Sequence, residues 1–459
     1  MWSMWSATSK RFFASLHLCA FALNCLTIGS LSAAAAPTAL AVPMDCAHPL
    51  TIAELIDTAL QNNPETKVAW WNAQRAASGL GSARSAYYPK LDFNANARHG
   101  RDFKFINGPD TNYTITGADL SLSMLLFDFG ERSASVEAAK MALLAANWQT
   151  DATLQKVIVS VLENAYAALH AQELLQAALI SREDAGKMLD VTHELNRIGL
   201  HAISDVYTSE ATLAQMKMDV AQYQAAFEIQ KSKLAASLGI APETPLDVAT
   251  IEQMPSIPKQ RTSELIALAG EQRADLMAKR ARLSESLSLL DKSHAAHYPK
   301  VTFAGRGGGE HAIHDKANAS HYQVAVNIEI PLFNGFKTMH QQRIAYADAQ
   351  ISSEELAKLE LNIALDILTY SKTLEAAQEM LIYADANLQN SQKAYEGVLD
   401  KYRAGAERIA ELSNALRQLA AARVRHSDIK TRLLVALANL AYATGSLAPY
   451  MEDSCAKQH

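Results

Sequence analysis

A chain of 459 residues, 49% hydrophobic and 20% charged, is long enough to bury a sizeable core or to build two or three domains. Glycine (19) and proline (13) are scarce while Ala, Leu, Gln, Glu and Lys recur over long stretches, which excludes a collagen-like or disordered chain and favours helix. The formal charge of -6, without a stripe of Lys or Arg, speaks against a nucleic-acid partner.

The N-terminus reads as a secretory signal. Lys10 and Arg11 precede an apolar run from Phe12 to Leu31, and small residues follow, with cleavage expected after Ala41. His17 and Asn24 interrupt the run, which argues against a retained anchor. No later stretch of about 18 apolar residues exists, so a mature chain that enters a membrane must do so as β-strands. Cys19 and Cys25 fall in the signal, and neither follows a convincing lipidation motif. Cys46 and Cys455 remain, one near each end of an exported chain, and are expected to form a disulfide; the alternative is two separate thiols in the termini.

Each half of the mature chain is predicted to run helix, strand, strand, long helix, turn, helix. The first half opens on a helix bearing Trp70 and Trp71, suited to packing at a subunit seam. Leu91, Phe93, Ala95 and Ala97 then alternate with Asp92, Asn94, Asn96 and Arg98, and Leu120, Leu122, Met124 and Leu126 with mostly polar neighbours. A proline-free stretch from Glu131 to about Arg197 follows, Gly199 marks a sharp turn, and a helix returns to Gly239. The joint between the halves carries Pro242, Pro245, Pro255 and Pro258, which neither helix nor central strand could contain. The second half repeats the order: a weaker strand with Val301, Phe303 and Gly305, a strong one with Val324, Val326, Ile328, Ile330 and Leu332, and a proline-free stretch from Lys337 to about Arg403. Gly405 then turns the chain back toward Gly445. Loops from Gly100 to Asn112 and from Gly307 to Tyr322 join the strand pairs, with Gly305 to Gly309 read as a flexible strand end.

The halves also share residues. Tyr88-Pro89-Lys90 recurs as Tyr298-Pro299-Lys300, Leu126-Phe127-Asp128 as Leu332-Phe333-Asn334, Arg197-Ile198-Gly199 as Arg403-Ala404-Gly405, and Leu238-Gly239 as Thr444-Gly445, at offsets of about 210 and then about 206 residues. The boundaries that follow are a signal at 1–41, a first repeat at 42–240, a linker at 241–262, a second repeat at 263–446 and a tail at 447–459. Tyr87, Tyr88, Phe127, Phe129, Tyr298, Phe333 and Phe336 sit at the strand ends nearest the helices, as in a membrane barrel edged by aromatics. Four strands cannot close such a barrel, since the smallest have about 8, so oligomerisation follows from the strand count. At 1.5 Å per residue each long helix spans on the order of 100 Å and needs partner helices along its length.

These residues resemble the TolC family of outer-membrane efflux and secretion ducts over nearly the whole mature chain. The resemblance includes the opening Leu50-Thr51-Ile52-Ala53-Glu54-Leu55 with Asn62-Asn63-Pro64, both Tyr-Pro-Lys strand entries, the Leu-Phe-Asp-Phe-Gly and Pro-Leu-Phe-Asn-Gly exits, and both glycine turns. It implies a mainly α fold with a β-barrel part. Three protomers would each give four strands to a 12-stranded membrane β-barrel and their helices to a long periplasmic α-barrel. It further implies a homotrimer in contact with outer-membrane lipid, a periplasmic adaptor (membrane fusion) protein, and an inner-membrane pump of RND or ABC type.

The resemblance also implies a gate at the helical tips. Ser204, Asp205 and Tyr402 match residues of a polar link that holds the helices closed, and Glu411 matches an acid of a ring around the pore entrance. Three symmetry-related carboxylates at a narrow opening repel one another and attract cations. Glu407 stands where the family carries an arginine of the link, and Asn414 where it can carry a second acid. Arg408 is adjacent to Glu407 but about 100° around a helix. Gly199 with Leu200, and Gly405 with Ala406, form the tips on which an adaptor would dock. For Asp205 and Glu411 the competing reading is a solvated helix-surface carboxylate.

Other patterns carry less. His294 with His297, and His311 with His314, have a spacing that can pair imidazoles but lack other ligands nearby, and no catalytic constellation such as Gly-x-Ser-x-Gly or HExxH is present. The expectation is a passive exit duct for efflux or type I secretion, without catalysis, cofactor or metal. The rival is a trimeric coiled-coil surface or scaffold protein, which would not need two amphipathic strand pairs with aromatic ends.

Overall fold

The computed structural model describes residues 49–102, 111–249, 261–313 and 317–447. The signal segment, Cys46, Cys455, His314 and the tail beyond Leu447 lie outside the described residues. In chain order the elements are α1 (Ile52–Asn62), α2 (Pro64–Ser85), β1 (Lys90–Asp102), β2 (Thr111–Phe127), α3 (Glu131–Arg197), α4 (Ile203–Ser237), α5 (Thr262–Gln272), α6 (Ala274–Ala295), β3 (Lys300–Ala312), β4 (Ala317–Glu329), α7 (Lys337–Arg403) and α8 (Ile409–Thr444).

The repeat reaches down to individual bonds. The opening helix of each half is broken in two, at Asn63-Pro64 and at Arg273. Asn63 caps α2 by accepting from the Glu65 amide at 2.8 Å, and its Nδ2 donates to the Ser237 carbonyl at 2.8 Å. Arg273 takes the same place in the second half. Buried against Tyr442, its guanidinium forks onto Asp275 at 2.9 and 2.7 Å and reaches the Ala443 carbonyl at 3.4 Å. Each break receives the glycine that ends the last helix of its repeat. Gly239 (φ 77°) and Gly445 (φ 77°) lie so close that an added Cβ would stand 2.7 Å from the Asn62 carbonyl carbon and 3.0 Å from that of Gln272. The first break carries a proline, Pro64; the second has none and is held by the buried arginine instead.

The strands form one antiparallel sheet in the order β1-β2-β3-β4, with β1 and β4 at open edges. Register runs straight across it. Leu91 pairs with Leu122, Leu122 with Gly305 and Gly305 with Val324; one step along, Phe93, Leu120, Gly307 and Tyr322 make the next row. This face is apolar and exposed. The opposite face carries Asp92, Ser121, Arg306 and Gln323, then Asn94, Asp119, Gly308 and His321. Across it the Arg306 guanidinium clasps Asp119 at 3.1 and 2.8 Å, and Arg98 meets Glu310 at 3.0 Å.

The strands are longer than the alternation suggests, and the joins correspondingly shorter. Gly305 to Gly309 lie inside β3 rather than at a flexible end, and at Gly308 the neighbouring strand comes too close for a side chain: a Cβ there would stand 2.5 Å from the Ala118 carbonyl oxygen. In the other direction β4 stops at Glu329, short of Leu332, since Pro331 has no amide to give the ladder. Where strand meets long helix, two consecutive residues take left-handed conformations in each half: Phe129 (φ 51°) with Gly130 (φ 98°), and Gly335 (φ 65°) with Phe336 (φ 65°). The same turn is thus made from a Phe-Gly and a Gly-Phe pair. Phe129 stacks on Tyr298 at 5.3 Å and Phe333 meets Phe336 edge-on at 5.3 Å, within an exposed aromatic rim beneath the apolar face.

Below the sheet, α3 packs on α2, α4, α6 and α8, and α7 on α6 and α8. One apolar core joins α5, α6, α7 and α8 through Leu265, Leu276, Ile367 and Leu437. Another lies near the far end of the long helices and joins α3, α4, α7 and α8 through Met188, Met216, Leu399 and Leu412.

Candidate functional site at the helical tips

Both long helices end in the same turn. Gly199 (φ 81°) lets the Leu200 amide reach back to the Leu195 carbonyl at 2.9 Å, and Gly405 (φ 69°) lets the Ala406 amide reach Lys401 at 2.9 Å. The first tip exposes Ile198, Leu200 and Ile203, the second only small and charged residues. The returning helices begin at Ile203 and Ile409, which places Asp205 and Glu411 at the same third position of their first turns, where a carboxylate is favoured by the helix dipole. Their surroundings differ. Asp205 is three-quarters buried and its Oδ2 lies 3.1 Å from His201 Nδ1, whereas Glu411 is exposed and pairs with no described residue.

Tyr402 is fully buried at the end of α7. Burial pushes its phenol above the ordinary tyrosine value, so the hydroxyl stays a donor. It donates to Thr192 Oγ1 on α3 at 3.3 Å, and Thr192 in turn lies 3.0 Å from Ser209 Oγ on α4. Ser209 donates to the Asp205 carbonyl at 3.0 Å, and beside it Thr212 on α4 meets Ser413 on α8 at 3.0 Å. Tyr402 and Asp205 are therefore brought together through a chain of buried hydroxyls and not by a direct bond. Each hydroxyl has a single proton, so the chain is a set of weak, neutral bonds. Ser204 is exposed, its Oγ 3.4 Å from its neighbour's Oδ1. Arg408 flanks α8 in extended conformation and is exposed, outside the helical turns, with its amide 3.2 Å from Glu407 Oε1. Asn414 accepts from Arg417 at 2.5 Å.

Above the tip core, two polar clamps tie the helices. Arg423 on α8 reaches Ser181 and Asp184 on α3 at 3.0 Å each and Gln392 on α7 at 3.3 Å. Tyr395 donates to the Asp184 carbonyl at 3.3 Å, and burial, with Asp184 nearby, pushes its phenol up to about 12. Higher still, Glu173 accepts from Lys430 at 2.6 Å and Ser427 at 2.7 Å, while His170 bridges Ser427 at 2.9 Å and Asp428 at 3.0 Å. Burial raises the Glu173 carboxyl, but the Lys430 and Ser427 bonds outweigh it and leave the group below the ordinary glutamate range. His170, Glu173, Gln392, Arg423, Ser427 and Lys430 line a cavity of about 620 Å³ between α3, α7 and α8.

The histidines singled out in the sequence lie elsewhere. His294 Nδ1 is 2.6 Å from Gln342 and His311 Nδ1 is 2.7 Å from Asn318. Trp70 and Trp71 are exposed on α2, in edge-to-face contact at 4.5 Å. Thr192, Ser209, Thr212 and Ser413 are buried hydroxyl residues that no motif in the sequence marks.

Comparison with known proteins agrees with this architecture. The chain is 27% identical over 404 residues to Protein CyaE of Bordetella pertussis, covering 86% of this chain and 85% of that protein. It is 23% identical over 416 residues to outer membrane protein TolC of Vibrio cholerae, covering 86% and 91%. Among solved structures, the Campylobacter jejuni CmeC outer membrane channel shares the fold at a TM-score of 0.78 and 18% identity, covering 86% of this chain and 85% of that one. The outer-membrane channel OprN does so at 0.77 and 21%, covering 86% and 90%. The profile of the family described as outer membrane efflux protein matches residues 55–240 and 265–446, most of the chain and both of its halves, and the chain belongs to that family.

Proposed function

We propose that three copies of this chain close edge to edge into a single duct, and that the helical tips gate its periplasmic entrance. As a member of its family the chain is an outer-membrane efflux channel component that works with adaptor and pump partners. The observation that carries the trimer is the sheet. Its four strands present an apolar face and a polar, ion-paired face, and its outer strands β1 and β4 are both open. An open strand edge in lipid leaves backbone groups unsatisfied at several kcal/mol each, so β4 of one copy must pair with β1 of the next. Three copies give a closed barrel with Asp119, Arg306, Arg98 and Glu310 lining the lumen.

In this arrangement Glu411, exposed and unpaired, contributes to an acidic ring at the entrance, and the Tyr402, Thr192, Ser209 and Asp205 chain holds the tips together. Ser204 and Arg408 lie at the rim, where neighbouring copies meet. The tips around Gly199 with Leu200, and Gly405 with Ala406, receive the adaptor, and the pump behind it is of RND or ABC type. Native mass spectrometry of detergent-extracted outer membranes tests the assembly: a mass of three chains is expected, and a monomer in the outer-membrane fraction would end the proposal. Replacing Glu411 with Ala should reduce cation preference in a planar bilayer; an unchanged preference leaves Glu411 as a solvated surface acid.

A further inference from the structure

Fixed offsets carry one repeat onto the other. Helix α6 follows α2 by 210 residues, from Pro64 to Ala274, and α7 follows α3 by 206, from Glu131 to Lys337. The strands keep the same offsets: Lys90 pairs with Ser123 and Lys300 with Glu329, each pair the counterpart of the other. Inside one chain the repeats meet through β2 with β3 and through α3 with α6. Along that helical joint Lys292 Nζ donates to Ser135 Oγ at 3.2 Å. On the same stripes Ala138 and Ala145 of α3, and Ala278 and Ala281 of α6, are buried. Their counterparts are Ile344 and Ile351 on α7 and Val68 and Trp71 on α2, and all four are more than half exposed.

We propose that each joint between copies repeats the joint inside one copy: α7 lies antiparallel on α2 of the next chain, in the register that α3 takes on α6. This rests on the closed trimer and fixes which residues meet in it. Ser135 and Lys292 are level, so their counterparts Gln341 and Ser82 are level too. Seven residues along each helix from there, Asp348 faces Arg75; a turn further, Ile351 faces Trp71. Asp348 and Arg75 are both exposed, and neither is paired with a described residue. Ile and Trp in place of alanines widen the helix spacing and bury more apolar surface, which suits a joint that no covalent chain holds. In the sheet the same offsets turn Leu122 opposite Gly305 into Ile328 opposite Ala95, and Leu120 opposite Gly307 into Val326 opposite Ala97. Apolar side chains then stay on one face around the barrel, which a slip of one residue would reverse. One contact is not repeated. Lys300 reaches Glu131 at 2.6 Å, but Lys337 stands in the place of that glutamate, and Lys90 turns to Asp92 at 3.4 Å instead.

Paired cysteines test this in full-length chains in outer membranes. Arg75→Cys with Asp348→Cys should be linked between chains by a short bismaleimide. Covalent dimers and trimers are expected several-fold above either single variant, which sets the baseline for the natural Cys46 and Cys455. Arg75→Cys with Lys358→Cys, ten residues and about 15 Å farther along α7, should stay at that baseline. Linking of the distant pair, alone or as well, would overturn the register. Trimers by native mass with neither pair linked would show that another face covers α7, and overturn the proposal. Absence of trimers from the parent chain would instead end the closed-duct reading. A second measurement needs no cysteine: Arg75→Asp and Asp348→Arg should each lower the temperature at which trimers dissociate, and the two together should restore most of the loss. A double variant no more stable than the singles would remove the pair from the joint.

Discussion

The two long helices have the same length, 67 residues each, and the same place in their repeats, yet they are used differently. Helix α3 buries nineteen of its residues within one copy of the chain, and α7 buries nine. What α7 leaves exposed is apolar: Ile344, Ile351, Leu361, Leu365 and Ile382 are each more than half exposed. A duplicated sequence has thus become a helix packed on six elements of its own chain and another with an apolar face that a single copy cannot cover. The difference teaches that two copies of one repeat can divide the work: α3 carries much of the core of a single chain, while α7 leaves an apolar face uncovered.

The largest test of that contrast is to charge the exposed face. Leu361→Glu with Leu365→Glu should convert trimers to monomers by native mass while leaving helix content intact, because neither residue is packed within the protomer. Helix α3 should respond in the opposite way. Leu162, fully buried on α3, should cost about 3 kcal/mol on replacement by alanine, and Arg423→Ala, which strands Asp184 in a largely buried site, a similar ~3 kcal/mol. Both appear as a lower denaturation midpoint.

A smaller effect separates the clamps from the seam by pH. Glu173 has a depressed folded pKa, so its contribution to stability is complete above the ordinary glutamate value of about 4.3 and is lost as pH falls through the lower, folded value. Glu173→Gln should flatten this acid limb in pH-dependent thermal unfolding; an unchanged limb would remove the clamp from the account. The smallest effect belongs to the tip. Tyr402→Phe deletes one neutral hydrogen bond, about 1 kcal/mol, and should shift the gate several-fold toward open in conductance records without moving the unfolding midpoint appreciably.

Much of this was legible in the sequence, for reasons that can be named. The ends of α3 and α7 are written in Gly199 and Gly405, and the strands in a period of two that no helix could use. The apolar and polar faces of the sheet follow directly from that period, and the aromatic rim from residues at its ends. What stayed hidden depends on contacts distant in the chain. The break at Arg273 has no proline to announce it, because an ion pair to Asp275 and the carbonyl of Ala443 hold the bend. Gly308 of β3 reads as part of a loop, since nothing local shows that β2 approaches closely enough to need a glycine there. Phe336 takes a left-handed conformation that its type disfavours and that nothing in the local sequence announces. At the tip, Asp205 and Tyr402 were identifiable by resemblance, but the hydroxyls of Thr192 and Ser209 between them look like ordinary helix surface until three helices are folded together.

The most direct test of a gated trimeric duct is single-channel conductance of verified trimers in a planar bilayer, comparing the parent chain with Tyr402→Phe. A small, cation-selective conductance in the parent and a larger one in the variant is the predicted result. Trimers that conduct no ions in either form would contradict the duct and return the chain to a coiled-coil scaffold.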